Sequence, residues 1–182
     1  CDRGLVNRML AKLAHRGPGS ARVEGDDRIA IGARGRRGST SPLAEGDGVI
    51  VASDSYLFNR AQLAERYLDG VEDALLPDHG FLLGLYARLG TRMFREIDGA
   101  YAVAIADNGR LLLARDRYGL KPLYISKDTG QGAFSSEMKS QLLTEDDFIT
   151  FPPGKVFTAD KGFEGAGRRR HDYLLLQRIH AS

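Results

Sequence analysis

Cys1 places two reactive groups on one residue, a thiol and a free α-amine. The thiol is a nucleophile once deprotonated. An α-amine with a pKa of about 7.7–8.0 can accept that proton near neutral pH, so no separate His/Asp pair is needed. Position alone leaves a second reading open, in which the cysteine is an incidental first residue. The histidines offer no competing chemistry. His15, His79, His171 and His180 make no metal-ligand spacing with one another or with Cys1, so neither a metal nor a cofactor is expected. Two basic clusters, Arg34, Arg36, Arg37 and Arg168, Arg169, Arg170, lack interleaved aromatics. With a net charge of only +2 they read as solvated loops, and nucleic acid is not an expected partner.

A thiol nucleophile needs a rigid frame. The 182 residues, 42% of them hydrophobic, suffice for one domain with its own core. No apolar run is long enough to cross a bilayer and no secretory pattern opens the chain, so no membrane partner is expected. A lone cysteine suits a reducing cytoplasm. Leu5, Met9, Leu10 and Leu13 share a helical face ahead of His15-Arg16-Gly17-Pro18, and Arg28 to Ile31 reads as a strand. Residues 17–27 and 32–48 read as loops, Val49 to Ala52 as a strand, and Asp54-Ser55 as its turn. Helices are expected over Ala61 to Leu68, Phe81 to Leu89 and Met138 to Leu143. Residues 100–106 and 110–115 form a strand pair across Asp107-Asn108-Gly109, and residues 123–125, 132–134 and 155–157 read as further short strands. Strand pairs on tight turns with helices between them give an α+β class of antiparallel sheets layered with helices.

Seven short segments then fall in one order: His15-Arg16-Gly17-Pro18; Arg28-Ile29-Ala30-Ile31; Asp54 to Leu63; Asp98-Gly99-Ala100-Tyr101-Ala102; Arg115-Asp116-Arg117-Tyr118-Gly119-Leu120-Lys121-Pro122-Leu123-Tyr124; Ser136-Glu137-Met138-Lys139; and Phe151-Pro152-Pro153-Gly154. Together they resemble the class II glutamine amidotransferase domain that begins asparagine synthetase. The resemblance implies an N-terminal-nucleophile hydrolase fold, a four-layer αββα sandwich with two antiparallel sheets. The domain is drawn over residues 1–160, with 161–182 as an extension or exit toward an absent synthetase domain.

The resemblance also implies roles. Cys1 is the nucleophile, and Arg28 pairs with the α-carboxylate of glutamine through its planar fork. Asp78, eight residues before Tyr86, receives the α-amine; following Pro77, it also reads as a helix N-cap. Asp54 and Ser55 stand where the family places Asn-Gly, whose side-chain amide and backbone N–H form the oxyanion hole. Asp54 has no side-chain N–H to offer when ionised, which leaves the backbone N–H of Ser55. Tyr56 and Gly80 replace family glutamates, and Gly19 replaces an Asp. Asn59 and His15 read as structural. Cys1-Asp2-Arg3-Gly4 meets the first helix too soon for a core strand at about 3.3–3.6 Å per residue, so residues missing after Cys1 are expected.

The expected reaction is hydrolysis of glutamine to glutamate and ammonia through a Cys1 thioester, supplying an ATP-dependent, asparagine-synthetase-like domain or subunit. ATP and Mg are implied for that partner alone, and homodimer formation is left open. Two other readings stand beside it. One is a catalytically degenerate interaction domain, motivated by Asp54-Ser55 and Gly80. The other keeps the Cys1 chemistry on a different amide, motivated by Tyr56.

Overall fold

The computed structural model describes residues 2–35, 37–38, 42–128, 132–144 and 146–166. Cys1, Arg36, the Arg168 to Arg170 cluster, His171 and His180 lie outside the described residues. In chain order the elements are α1 (Arg3–Lys12), β1 (Ala21–Gly25), β2 (Ala30–Arg34), β3 (Ala44–Gly46), β4 (Val49–Leu57), α2 (Arg60–Tyr67), α3 (Asp78–Leu89), α4 (Met93–Glu96), β5 (Gly99–Asp107) and β6 (Arg110–Arg115). They continue with β7 (Tyr124–Ser126), β8 (Phe134–Ser135), α5 (Met138–Gln141), β9 (Phe148–Thr150), β10 (Lys155–Thr158) and β11 (Gly162–Gly165).

The centre of the frame is the β5–β6 hairpin, closed by Asn108 and Gly109, both at positive φ. Such a turn matches the twist of paired antiparallel strands. Along β5, Tyr101, Val103 and Ile105 face one side, and Ala102, Ala104 and Ala106 face the other. All six are buried, as a central strand between two layers requires. A six-stranded antiparallel sheet, in the order β11-β10-β6-β5-β4-β3, is built around them. Its last strand carries the sheet past the boundary drawn at residue 160.

On the first face, Phe81, Leu82 and Leu85 of α3 pack with Leu63 and Ala64 of α2 and Met93 and Phe94 of α4. On the second face the alanines of β5 leave room for a second strand layer, the β1–β2 hairpin and the three-stranded β8-β7-β9 sheet. Ile31, Leu123, Ile125 and Phe151 fill that interface. The fourth layer is α1 with α5, tied by the Ser140 hydroxyl donating to the Met9 carbonyl at 3.1 Å. Gly32 on β2 is the contact that seats α1, because a Cβ there would stand 2.6 Å from Val6 and 2.8 Å from Leu10. These layers make the αββα sandwich.

The local expectations shift in several places. Residues 21–25 and 44–46, read as loop, form β1 and β3, and Arg34, read as part of a solvated loop cluster, ends β2 with its side chain part-buried. Arg28 precedes its strand and sits in the hairpin turn, where the Asp26 carboxylate accepts the backbone N–H of Arg28 at 2.7 Å and of Ile29 at 2.8 Å. Asp54-Ser55 is no turn, because β4 stays paired with the nine-residue β5 through Asp54↔Ala102 and Ser55↔Tyr101 to Leu57↔Gly99. Ladder pairing here overrides the local turn preference of an Asp-Ser step.

Candidate active site

Asp54 and Ser55 are neighbours on β4, and successive strand residues face opposite sides of a sheet. They therefore serve two clusters. On the side of the second strand layer, the Asp54 carboxylate lies between two cations: Arg16 Nη2 donates to Oδ2 at 2.8 Å and Lys121 Nζ to Oδ1 at 2.5 Å. One negative charge thus meets two positive ones. The two cations offset the negative charge that Asp54 would set against a developing oxyanion nearby.

Each cation is delivered by a built loop. Arg16 follows α1 and also donates to the Ser136 carbonyl at 3.1 Å. Beneath it, Arg34 at the end of β2 holds the loop by donating to the carbonyls of Gly17 at 2.7 Å and Gly19 at 3.2 Å. Lys121 ends a loop organised by Asp116, which is fully buried and accepts the backbone N–H groups of Tyr118, Leu120 and Lys121 at 2.9–3.1 Å. Arg115 locks the same loop from inside, donating to the carbonyls of Lys121, Phe151 and Gly119. Lys121 and Arg34 were not singled out as site residues from sequence. The signal for Lys121 lay in the Arg115–Tyr124 motif itself.

On the helix side, the Ser55 hydroxyl donates to Asp78 Oδ2 at 2.9 Å. Asp78 is the first residue of α3, where the helix dipole favours a carboxylate. It is not the N-cap: Pro77 holds that position, and the Asp78 carboxylate turns instead to Ser55 and to Arg60 Nη1. His79 beside it is half-buried, and desolvation lowers its pKa despite the nearby Asp78 charge. Asn59 ties this corner together, donating to the Glu96 carbonyl at 2.8 Å and accepting from the Asp98 N–H at 3.0 Å.

The Ser55 backbone has a direction that follows from the ladder. The Tyr101 carbonyl accepts from the Asp116 N–H at 2.8 Å, so the Tyr101 peptide groups point toward β6. Its partner Ser55 is then in a non-hydrogen-bonded pair, and the Ser55 N–H points away from β5. It emerges on the β4 edge that β3 covers only as far as Val51.

Not every residue named from sequence comes to this end of the sandwich. Asp54 lies opposite Ala102, whereas Arg28 stacks against Gly109, beyond Asp107 at the far end of β5. That run along the strand is roughly 17 Å. Asp2, the neighbour of Cys1, caps α1 by accepting the Leu5 N–H at 2.9 Å, and Arg3 reaches the Gly25 carbonyl at the Arg28 end. The ten residues of α1, about 15 Å of helix, separate that cap from the loop carrying Arg16.

His15 meets Glu137 Oε1 at 3.0 Å, with Lys139 Nζ within 3.1 Å of its ring. Burial raises the Glu137 pKa, but hydrogen bonds from Lys139 and His15 outweigh it and hold the group below its ordinary value of 4.5. Arg16, Pro122, Tyr124, Glu137, Met138 and Leu142 line a cleft of about 460 Å³ beside this cluster. Among the described residues, no three His, Cys, Asp or Glu side chains are grouped to hold a metal, and no helix is long and apolar enough to cross a membrane.

Residues 2–151 match the family model described as a glutamine amidotransferase domain. The chain is 28% identical over 156 residues to asparagine synthetase [glutamine-hydrolyzing] 3 of Bacillus subtilis, covering 80% of this chain and 25% of that protein. It is 26% identical over 170 residues to asparagine synthetase [glutamine-hydrolyzing] 2 of Oryza sativa subsp. japonica, covering 88% of this chain and 28% of that one. The chain thus spans about a quarter of the length of these curated relatives. Among solved structures, glutamine phosphoribosylpyrophosphate amidotransferase from B. subtilis superposes with a TM-score of 0.69 at 20% identity, over 91% of this chain and 47% of that one. That likeness is one of fold.

Proposed function

The chain belongs to the glutamine amidotransferase domain family, and on that premise we propose that it hydrolyses the side-chain amide of glutamine at the Asp54–Ser55–Asp78 end of the sandwich. A thiolate adds to the amide carbon, the C–N bond breaks, and ammonia leaves with the proton. Water then cleaves the thioester, releasing glutamate and restoring the thiol. The proposed nucleophile is Cys1. The observation that carries the reading is the convergence at one strand end of Ser55 with Asp78 and of Asp54 with two cations. An oxyanion there would face the Ser55 N–H and a locally positive field from Arg16 and Lys121. Arg28 stands at the far end of β5, so it is not proposed to pair with the α-carboxylate of a glutamine held at Asp78. As in the relatives named asparagine synthetase, the ammonia would pass to an ATP-dependent synthetase domain or subunit, with ATP and Mg belonging to that partner. A reducing cytoplasm, where a lone cysteine stays a thiol, fits the same proposal.

A second reading, a degenerate domain that keeps fold and docking surface, is favoured by one observation. Asp2 stands a helix length from the Asp54 loop cluster, with its cap and the Arg3 hydrogen bonds formed. Labelling with 6-diazo-5-oxo-norleucine, read by peptide mass mapping alongside glutamate release, separates the two. Stoichiometric modification of Cys1 with turnover supports the enzyme. An unmodified Cys1 with no glutamate released, alone or with the synthetase partner, sinks the enzyme reading and leaves the second.

A further inference from the structure

We propose that the Ser55 side chain is a positioning residue: backed by Ser53, its hydroxyl sets the Asp78 carboxylate so that Oδ2 receives the α-ammonium of glutamine. This rests on the glutaminase reading of the same site and adds a use for the Ser55 side chain beside that of its backbone N–H. Asp78 carries one donor on each oxygen, Arg60 Nη1 on Oδ1 and Ser55 Oγ on Oδ2. Each oxygen has two lone-pair sites, so one stays open on each. The two open sites are not equal. Oδ1 stands against the Arg60 guanidinium, whose charge opposes a second cation, whereas the partner of Oδ2 is a neutral hydroxyl. An incoming ammonium therefore gains most at Oδ2. Asp54 shows that a carboxylate of this exposure can hold two cations. Its side chain is 35% exposed against 34% for Asp78, and it pairs with Arg16 and Lys121 on separate oxygens.

The hydroxyl is delivered from fixed backbone. Ser53 and Ser55 are two apart on β4 and so share its helix-side face, and both lie in register with β5, opposite Val103 and Tyr101. Their hydroxyl oxygens are 3.3 Å apart. A serine hydroxyl has one hydrogen and an ionised carboxylate only accepts. The Ser55 hydrogen therefore goes to Asp78, and Ser53 supplies the hydrogen between the two hydroxyls. The Ser55 hydroxyl is thus held from both sides. Asp78, at the first residue of α3, is in turn held by Ser55 on one oxygen and Arg60 on the other. A carboxylate fixed in this way gives up little side-chain freedom when the ligand arrives.

Selectivity is the readout, because a change at the oxyanion touches every amide alike. The ratio of kcat/KM for glutamine to that for 4-carbamoylbutanoate, which is glutamine without its amine, is measured on the full 182-residue chain. Wild type is expected to favour glutamine about tenfold. In Ser55→Ala the ratio should fall about fivefold, the loss of one neutral hydrogen bond. Ser55→Thr keeps the hydroxyl and should stay within about twofold of wild type. Ser53→Ala should lower the ratio about twofold by itself and not at all beside Ser55→Ala, since Ser53 acts through Ser55. A wild-type ratio near one, an unmoved ratio in Ser55→Ala, or a Ser55→Thr ratio as low as that of Ser55→Ala overturns the proposal alone. If Ser55→Ala does not fold, Ser53→Ala decides, and an unmoved ratio there overturns it too. Glutamine cleaved by no variant, wild type included, overturns the glutaminase reading, and this proposal with it.

Discussion

At the scale of single residues, Asp54 is bracketed by Arg16 and Lys121, and all three side chains are about a quarter to a third exposed. Ion pairs at that exposure contribute roughly 1 kcal/mol or less each to stability. Their larger effect is on charge placement at the strand end. Asp54→Asn keeps the shape, adds a side-chain N–H and frees both cations from their counter-ion. If the oxyanion forms there, glutamine turnover should rise about a hundredfold, since one such donor is worth roughly 2.7–4 kcal/mol in barrier height. The melting temperature should fall only slightly. Lys121→Met should act the other way and lower turnover without a comparable change in KM. Steady-state kinetics of both variants at one pH check this, and an Asp54→Asn rate equal to wild type would place the oxyanion elsewhere.

At the scale of elements, the loop from Asp116 to Lys121 is held by one fully buried carboxylate that accepts three backbone N–H groups. Asp116→Ala would strand those donors, at about 1–3 kcal/mol for each one left buried. A drop in stability of a few kcal/mol is expected in denaturant melts, with Asp116→Asn milder because its amide oxygen still accepts. The motif around this loop was legible in sequence, and so was the layered α+β fold, since buried alternation and turn residues are local signals. The loop's purpose was not. Arg115 reaches a carbonyl at Phe151, and Lys121 reaches a carboxylate at Asp54, both far away in the chain. The strand through Asp54-Ser55 was hidden for the same reason, because its pairing with β5 outweighs what the dipeptide prefers alone. Arg28 and Arg34 flank one short strand, and only the hairpin register shows which end of it faces Asp54.

For the molecule as a whole, stability links the site to pH through His79. Burial beside Asp78 lowers the His79 pKa below its ordinary 6.5, the attraction of Asp78 being the smaller effect. The unfolded chain then takes up this proton at a higher pH than the folded one. Where the unfolded state binds more protons, stability rises with pH. The contribution of His79 is therefore full above about pH 6.5 and is lost as pH falls from there through the folded value. Glu137, held below its ordinary 4.5 by Lys139 and His15, adds a second loss of the same sign at lower pH. Two declines in melting temperature should follow on acidification, the first in the mildly acidic range. His79→Gln should remove the first and leave the second, and Glu137→Gln should leave the first and lessen the second, to which Asp26 and Asp160, also held below their ordinary values by hydrogen bonds, contribute. The two sites sit on opposite faces of the sandwich, α3 carrying one and the α5 layer the other, so their effects should add within a few tenths of a kcal/mol. Calorimetric melts of both single variants and the double variant across that range would test this. A double variant that keeps the wild-type profile would show that neither group sets the acid limit of the fold.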